Sequence, residues 1–246
     1  MKKYKINKNL KIDDFIIPTE IIKEFRFDTR YSITKSKLII RIPLYYNNMQ
    51  TENNIDKAKK WASSILLSDK EKYLRFIPKK YHSGQILEIN GKKFKLNLRE
   101  GDFKSFSAKL INEEIFIYIP YNSEASETNN AIVNLQSKII AKVFKTEITN
   151  RIEEINKKYF DVKIENIRLK HNKSNWGSRS SKNNINISTR LLFAPKDVQD
   201  YVFIHELAHF LEMNHSKAFW SIVESIDPKY KEKEQWLKLN SEKCNF

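Results

Sequence analysis

The segment His205-Glu206-Leu207-Ala208-His209 combines residue types and a spacing that suit a metal centre. Histidines four residues apart lie on one face of an α-helix, so both imidazoles can bind the same ion. The carboxylate beside the first histidine can then take a proton from a water molecule at that ion. His-Glu-x-x-His is the signature of zinc metalloproteases. We therefore predict that His205 and His209 bind Zn²⁺ and that Glu206 is the general base.

His215 is the predicted third zinc ligand. Five residues separate it from His209, the spacing found in metzincins, where a glycine makes the turn. Glu212 stands at that place here, so we expect a left-handed turn at Met213-Asn214 instead, because Asn tolerates this conformation. Glu224 is the alternative third ligand, although neutral imidazole suits zinc better. Three protein ligands leave a fourth position open for water, which is the arrangement of a catalytic zinc.

The motif lies in a predicted helix among apolar residues. Residues 197–204 contain no Gly or Pro, and Pro195 suits a helix start. The alternative is that the histidines merely cover the polar face of an ordinary helix. Buried imidazoles and a buried carboxylate need partners, however, and a metal ion provides one. Phe219 and Trp220 are expected to pack beneath the metal.

Residues 205–220 resemble the YgjP-like zincin metallopeptidases, which are related to SprT-like and WLM-type proteases. Residues 173–195, with Trp176-Gly177-Ser178, resemble a second block of that family, and residues 228–238 resemble its closing segment. The resemblance extends over roughly residues 20 to 240 and implies zinc-dependent peptide hydrolysis. Arg179 departs from the family pattern, which usually has Cys there. This departure removes the basis for a redox or auxiliary-metal role of the hairpin but leaves the histidines intact.

Further groups are needed to stabilise the oxyanion and to orient the histidines. The candidates for the oxyanion are Tyr230, His171, Arg179 and Arg190. Tyr230 is preferred because it lies in the family-like closing segment and its hydroxyl is a neutral donor. Glu212 and Asp200 are candidates for accepting hydrogen bonds from the ligating histidines.

The pattern of apolar residues predicts an α+β fold with a β-rich region over residues 1–125 and a zincin-like metallopeptidase domain over residues 126–246. A strand is expected over residues 33–42, and a hairpin turns at Asn90-Gly91. The polar stretch 122–130 is the predicted boundary, and a long helix follows over about residues 131–159. No internal repeat is evident.

The formal net charge is +15, and its distribution is uneven. Residues 196–246 contain 7 Lys against 9 Asp and Glu, so the basic excess lies ahead of the predicted site. This basic region predicts at most weak, salt-sensitive DNA association. An abundance of Lys, Asn and Ile throughout the chain favours a purely compositional origin.

The alternative functions are a basic, nucleic-acid-associated protein with a structural zinc, or a protease that acts on DNA-bound proteins. A structural zinc would require a fourth protein ligand such as Glu224 or His171. A single cysteine, Cys244, fits a reducing compartment. Because neither a secretory segment nor a membrane-spanning run is visible, the expected location is cytoplasmic.

Overall fold

The computed structural model describes residues 3–246, which form two compact units. Unit 1 ends at Lys79, and unit 2 extends from Lys80 to Phe246. Each unit has its own cluster of buried apolar side chains. The described residues contain strands and helices in both units, so the predicted α+β class is confirmed.

Unit 1 is a four-stranded sheet followed by a helix. Two hairpins are joined side by side in the order β1-β2-β4-β3, with β2 and β4 parallel. The elements are β1 (Tyr4–Ile12), β2 (Phe15–Glu24), β3 (Arg30–Ile33), β4 (Leu38–Pro43), α1 (Asn48–Ser68) and a 3₁₀ helix (Lys70–Phe76).

Local sequence explains how unit 1 folds. Asn47 and Gln50 form a capping box at the start of α1, which satisfies two free backbone N–H groups. The single strand predicted over residues 33–42 is wrong, because the chain turns back between Ile33 and Leu38. The hydroxyl of Thr34 donates to the carbonyl of Lys37 and closes this turn.

Unit 2 begins with a second sheet of four strands and a long helix. These elements are β5 (Ile86–Ile89), β6 (Lys92–Gly101), β7 (Ser107–Ile111), β8 (Glu114–Pro120) and α2 (Ala125–Tyr159). The sheet order is β5-β6-β8-β7, again with one parallel pair, β6 and β8. The predicted turn at Asn90-Gly91 is confirmed, since both residues have positive φ, 49° and 77°.

The two sheets and the starts of their helices form an internal repeat with a constant offset of 77 residues. The parallel pair Glu24↔Pro43 of unit 1 recurs as Gly101↔Pro120 in unit 2. The antiparallel pair Ile12↔Phe15 recurs as Ile89↔Lys92. Helix α1 starts at residue 48 and α2 at residue 125, the same offset. We call residues 4–68 the first repeat and residues 81–145 the second repeat; the expectation of no repeat is therefore wrong.

The rest of unit 2 is built on the far part of α2. It comprises β9 (Asn166–Lys170), β10 (Gly177–Arg179), β11 (Asn184–Ser188), a 3₁₀ helix (Thr189–Phe193), α3 (Lys196–Ala208), α4 (Lys217–Ile226) and α5 (Tyr230–Asn240). The third sheet has the order β10-β11-β9, so β10 lies at its edge.

Helix α2 contacts β7 and β8 as well as β9 and α3, and these elements share one core. For that reason the compact units divide after Lys79, whereas the boundary predicted from the polar stretch lies at residue 125, inside unit 2. None of the helices in the described part of the chain is both long and apolar enough to cross a membrane.

Candidate active site

Helix α3 places the first two predicted ligands. It starts after Pro195, which occupies the N-cap position, and it ends at Ala208. His209 is the C-cap residue and keeps a helical backbone, with φ −65° and ψ −12°. His205 and His209 are therefore one helical turn apart on the same face, as the spacing predicts.

The segment after α3 brings His215 back to His205 and His209 without the predicted left-handed turn. Met213 and Asn214 are not among the described non-glycine residues with positive φ, so that prediction is wrong. The turn is made earlier: the N–H groups of Leu211 and Glu212 both donate to the carbonyl of Ala208, at 3.0 Å each. Ser216 then caps α4 by accepting a hydrogen bond from the N–H of Phe219.

Three histidines converge at the end of α3. His205, His209 and His215 each offer one ring nitrogen, and these nitrogens lie within 4.8 Å of one another. The Nε2 atoms of His205 and His215 are 3.1 Å apart. Nδ1 of His209 lies 3.2 Å from the carbonyl oxygen of Glu212 and can donate to it, which leaves Nε2 of His209 free. The alternative ligand Glu224 lies exposed on α4 and is not part of this group.

Aromatic rings surround the histidines, and burial favours the neutral form of His205 and His209. Phe219 is fully buried, and its ring centroid lies 4.9, 4.6 and 4.8 Å from those of His205, His209 and His215. Trp220 stacks on His215 at 5.7 Å, as expected for residues beneath the site. Burial lowers the pKa of His205 to about 3 and also lowers the pKa of His209. Neutral imidazole is the form that binds metal ions.

Glu206 lies against the edge strand β10. Its carboxylate accepts a hydrogen bond from the backbone N–H of Arg179, and the residue is only 5% exposed. Burial raises the pKa of Glu206 to about 8. A Cβ atom on Gly177 would lie 2.6 Å from Oε1 of Glu206 and 2.7 Å from its Cγ. Only glycine leaves room for the carboxylate in this position. Sequence reasoning missed this role, although the Trp-Gly-Ser motif pointed to the hairpin.

The preferred oxyanion candidate, Tyr230, is buried one ring away from the histidines. It stacks on Trp220 at 5.1 Å and on Tyr201 at 6.4 Å. Both of these rings in turn contact His205, at 5.9 and 6.0 Å. The structure therefore places Tyr230 behind Trp220 and Tyr201, and its oxyanion role stays a prediction.

The other candidates have different surroundings. Arg190 donates to the carbonyl oxygens of Lys173, Ser241 and Cys244 and covers the ring of Trp176, so its guanidinium binds the C-terminal segment. His171 lies 6.0 Å from the ring of Phe246 and outside the histidine group. Arg179 lies over Phe210, and its charge helps to lower the pKa of His209.

The two residues predicted to orient the histidines differ in outcome. Glu212 contacts His209, but through its backbone carbonyl oxygen rather than its carboxylate. Asp200 forms a bidentate ion pair with Arg151, with N···O distances of 2.9 and 2.6 Å. The predicted hydrogen bond of Asp200 to a histidine is not formed among the described residues, because its carboxylate pairs with Arg151 of α2 instead.

Comparison with known proteins places these features in a family. A profile described as "YgjP-like, metallopeptidase domain" matches residues 29–240. Among solved structures, a match is found to the crystal structure of the metallopeptidase zymogen of Pyrococcus abyssi abylysin, whose sequence is 24% identical to this chain in the aligned part. That alignment covers 37% of this chain and 90% of the other, with a TM-score of 0.34. Among curated proteins, no relative matches significantly.

The family match supports peptides or proteins as substrates and gives no support to DNA association. The matched residues include the histidine group, Glu206 and the strand β10 beside it. The chain belongs to the YgjP-like metallopeptidase family.

Proposed function

We propose that the chain hydrolyses peptide bonds with zinc held by His205, His209 and His215 and with Glu206 as the general base. The observation that carries this proposal is the convergence of three imidazole nitrogens within 4.8 Å beside a buried carboxylate. Among the described residues, this group contains no fourth protein ligand. A structural zinc normally has four, so a catalytic site is favoured over the alternative.

The donor set fits zinc. Two nitrogens bound to one tetrahedral zinc at about 2.0–2.1 Å would be about 3.4 Å apart. The Nε2 atoms of His205 and His215 are separated by 3.1 Å, close to that distance. Without a metal ion, the same 3.1 Å also suits an N–H···N hydrogen bond between the two neutral rings, so this separation fits zinc but does not require it. The carbonyl of Glu212 fixes the tautomer of His209 so that Nε2 can bind the metal.

In the proposed reaction, Glu206 carries out the proton transfers. When bound, zinc polarises the scissile carbonyl and makes water acidic enough to attack near neutral pH. Glu206 accepts the proton of the attacking water and delivers it to the leaving amine. Burial, partly offset by the hydrogen bond from Arg179, raises the pKa of this carboxyl to about 8, and a bound cation would lower it because opposite charge favours the ionised form. The hydrogen bond from the N–H of Arg179 holds the carboxylate in place.

The edge strand β10 is the proposed docking site for the substrate backbone. It pairs with β11 on one side only, and its residue Arg179 is directly linked to Glu206. An extended peptide added at such an edge is held by main-chain hydrogen bonds, which depend little on its sequence. This placement would bring the scissile bond beside the general base.

The decisive experiment replaces Glu206 by Gln. The variant should fold and bind zinc as the unmodified chain does but cleave casein about 100- to 10,000-fold more slowly, the usual effect of losing a general base. Glu212→Gln is the matched control, because this residue contacts His209 only through its carbonyl oxygen and should keep full activity. Activity that resists zinc chelation, or a Glu206→Gln variant as active as its parent, would refute the mechanism.

A further inference from the structure

Unit 1 exposes a group of large apolar side chains at one end of its sheet. Phe25, Phe27, Tyr45 and Met49 are 68%, 83%, 65% and 72% exposed. We call these four residues the aromatic corner. An exposed apolar side chain is ordinary when it stands alone, whereas several at one end of a sheet favour an interaction surface.

The four residues belong to two neighbouring segments. One follows β2 and the other follows β4, and these strands are parallel, so both segments leave the same end of the sheet. The N–H of Leu44 donates to the carbonyl of Glu24 at 2.9 Å and joins the two segments. The rings of Phe25 and Phe27 contact each other with their centroids 5.8 Å apart.

The fold itself does not require the aromatic corner, as the second repeat demonstrates. At the offset of 77, the counterparts of these four residues are polar: Asp102, Lys104, Asn122 and Ser126. The second repeat has the same strand order, the same register and the same helix start. Because the same topology forms with polar residues at these positions, the fold does not require the aromatic side chains of the first repeat.

The charged residues around the aromatic corner indicate the charge of its ligand. Unit 1 contains 18 Lys and Arg against 9 Asp and Glu, and it therefore has most of the net charge of the chain. Near the corner, two carboxylates are outnumbered by cations. The carboxylates are Glu24 and Asp28; the cations around them are Lys3, Arg26, Arg30 and Arg41. Such a surface is complementary to an acidic ligand.

A polypeptide fits the corner better than a nucleic acid does. Ion pairs such as those of Arg26 with Glu24 at 3.2 Å and with Asp28 at 2.8 Å leave only a small positive excess at the corner, which suits a segment with scattered carboxylates better than a continuous row of phosphates. Aromatic residues, Met and Arg are also the residue types that are enriched in protein–protein interfaces.

We propose that the aromatic corner docks acidic, unfolded polypeptide segments that carry apolar side chains. This inference rests on the proposed function, because such segments would be substrates of the peptidase. The aromatic rings bury the apolar side chains of the segment, and the surrounding cations attract its carboxylates. Binding at a second point raises the local concentration of a substrate chain without any change in the chemistry of cleavage.

The test measures binding rather than cleavage, so its outcome is independent of the proposed mechanism. The Glu206→Gln chain is titrated into a labelled 20-residue peptide of Glu, Leu and Tyr, and fluorescence anisotropy is recorded. The test variant adds Phe25→Asp, Phe27→Lys and Tyr45→Asn, which are the residues of the second repeat. These changes leave the net charge unaltered. The triple variant should bind the peptide at least tenfold more weakly, whereas Ile16→Thr, at another exposed apolar position of unit 1, should bind normally.

Three results would overturn the proposal. The first is equal binding by the triple variant and its parent, when hydrogen–deuterium exchange shows both to be folded. The second is equal affinity for a peptide in which Lys replaces every Glu. The third is tighter binding of a single-stranded oligothymidylate that the triple variant also loses, which would assign the corner to nucleic acid. If the triple variant does not fold, Phe27→Lys alone at this 83% exposed position gives the same comparison.

Discussion

The first and second repeats share strand order, register and helix start, yet only the second leads into the segment that contains the three histidines. Helix α1 stops after 21 residues, and the 3₁₀ helix behind it buries Tyr73 and Phe76 in the core of unit 1. Helix α2 continues for 35 residues and provides a surface for β9 and α3. The first repeat thus ends in a unit with its own core, whereas the second repeat supports the candidate active site.

The two repeats also differ in what they offer to ligands. All five histidines and the single cysteine of the chain lie in unit 2. Unit 1 instead has the exposed aromatic corner at positions where the second repeat is polar. The proposed roles are therefore divided, with the chemistry in unit 2 and the recognition of a substrate segment in unit 1.

The largest effect is expected from removing a zinc ligand. His205→Ala, His209→Ala and His215→Ala should each lower zinc affinity by more than the roughly 100-fold typical of losing an outer hydrogen-bond partner, because the shell itself becomes incomplete. Zinc content by mass spectrometry of the native protein measures this loss, and hydrogen exchange in unit 1 should not change.

Glu224→Ala is the matched control, since this residue lies outside the histidine group. Retention of zinc by His215→Ala together with its loss in Glu224→Ala would show that the wrong third ligand was assigned.

A smaller effect is expected from Gly177→Ala. The added Cβ would collide with the carboxylate of Glu206, and a displacement of about 1 Å can lower the rate about 100-fold. Zinc content should be unchanged. Gly101→Ala is the control within unit 2, because its Cβ meets only the ring of Phe103, whose far end can move away. Steady-state cleavage of casein by both variants decides the point; equal rates would mean that Glu206 does not act from its observed position.

The smallest effect is expected from Glu20→Gln in the first repeat. Glu20 accepts a hydrogen bond from Lys37 and pairs with Lys5 at 2.6 Å, and these contacts lower its pKa to about 2. Because the folded pKa lies below the ordinary value of 4.5, the stabilisation is present above pH 4.5 and is lost as the pH falls toward 2.

Glu20→Gln should therefore weaken protection from hydrogen exchange in unit 1 at pH 7 but not near pH 2. The counterpart of Glu20 in the second repeat is Asn97, which donates to Glu114 at 2.8 Å. The protection of the second repeat from hydrogen exchange should therefore not change in this variant. A pH-independent loss of protection in unit 1 would mean that the ion pairs of Glu20 do not contribute in this way.

The site was more predictable from the sequence than the fold was. The spacing of His205 and His209 is short-range information, and helix geometry converts it directly into a pair on one face. His215 lies beyond the end of α3 and reaches the pair only through the following turn. The role of Gly177 was hidden because β10 and α3 are distant in sequence and meet only in the folded chain. The turn after α3 was wrongly assigned because Asn214 only permits, and does not require, a positive φ.

The repeat could not be recognised from the sequence, because the two repeats keep the same backbone fold but few identical residues. The clearest sequence trace is Ile40-Arg41-Ile42-Pro43 against Ile117-Tyr118-Ile119-Pro120 at the ends of β4 and β8. Elsewhere, different apolar residues fill corresponding core positions, such as Ile17 and Phe94. A core accepts such exchanges when volume and pattern are kept, so comparison of residue identities alone finds little.

Two modules of one topology in a single chain carry a hazard during folding, because strands of one could insert into the sheet of the other. The polar contacts beside the parallel strands differ between the repeats, and this difference is expected to disfavour such an exchange: Lys37 pairs with Glu20 in the first repeat, and Asn97 donates to Glu114 in the second. At the offset of 77, Lys37 corresponds to Glu114, and Glu20 corresponds to Asn97. If β8 took the place of β4 beside β2, the carboxylate of Glu114 would meet that of Glu20, and like charges there would disfavour the misassembled chain. The divergence of the repeats thus helps each nascent strand to find its own sheet.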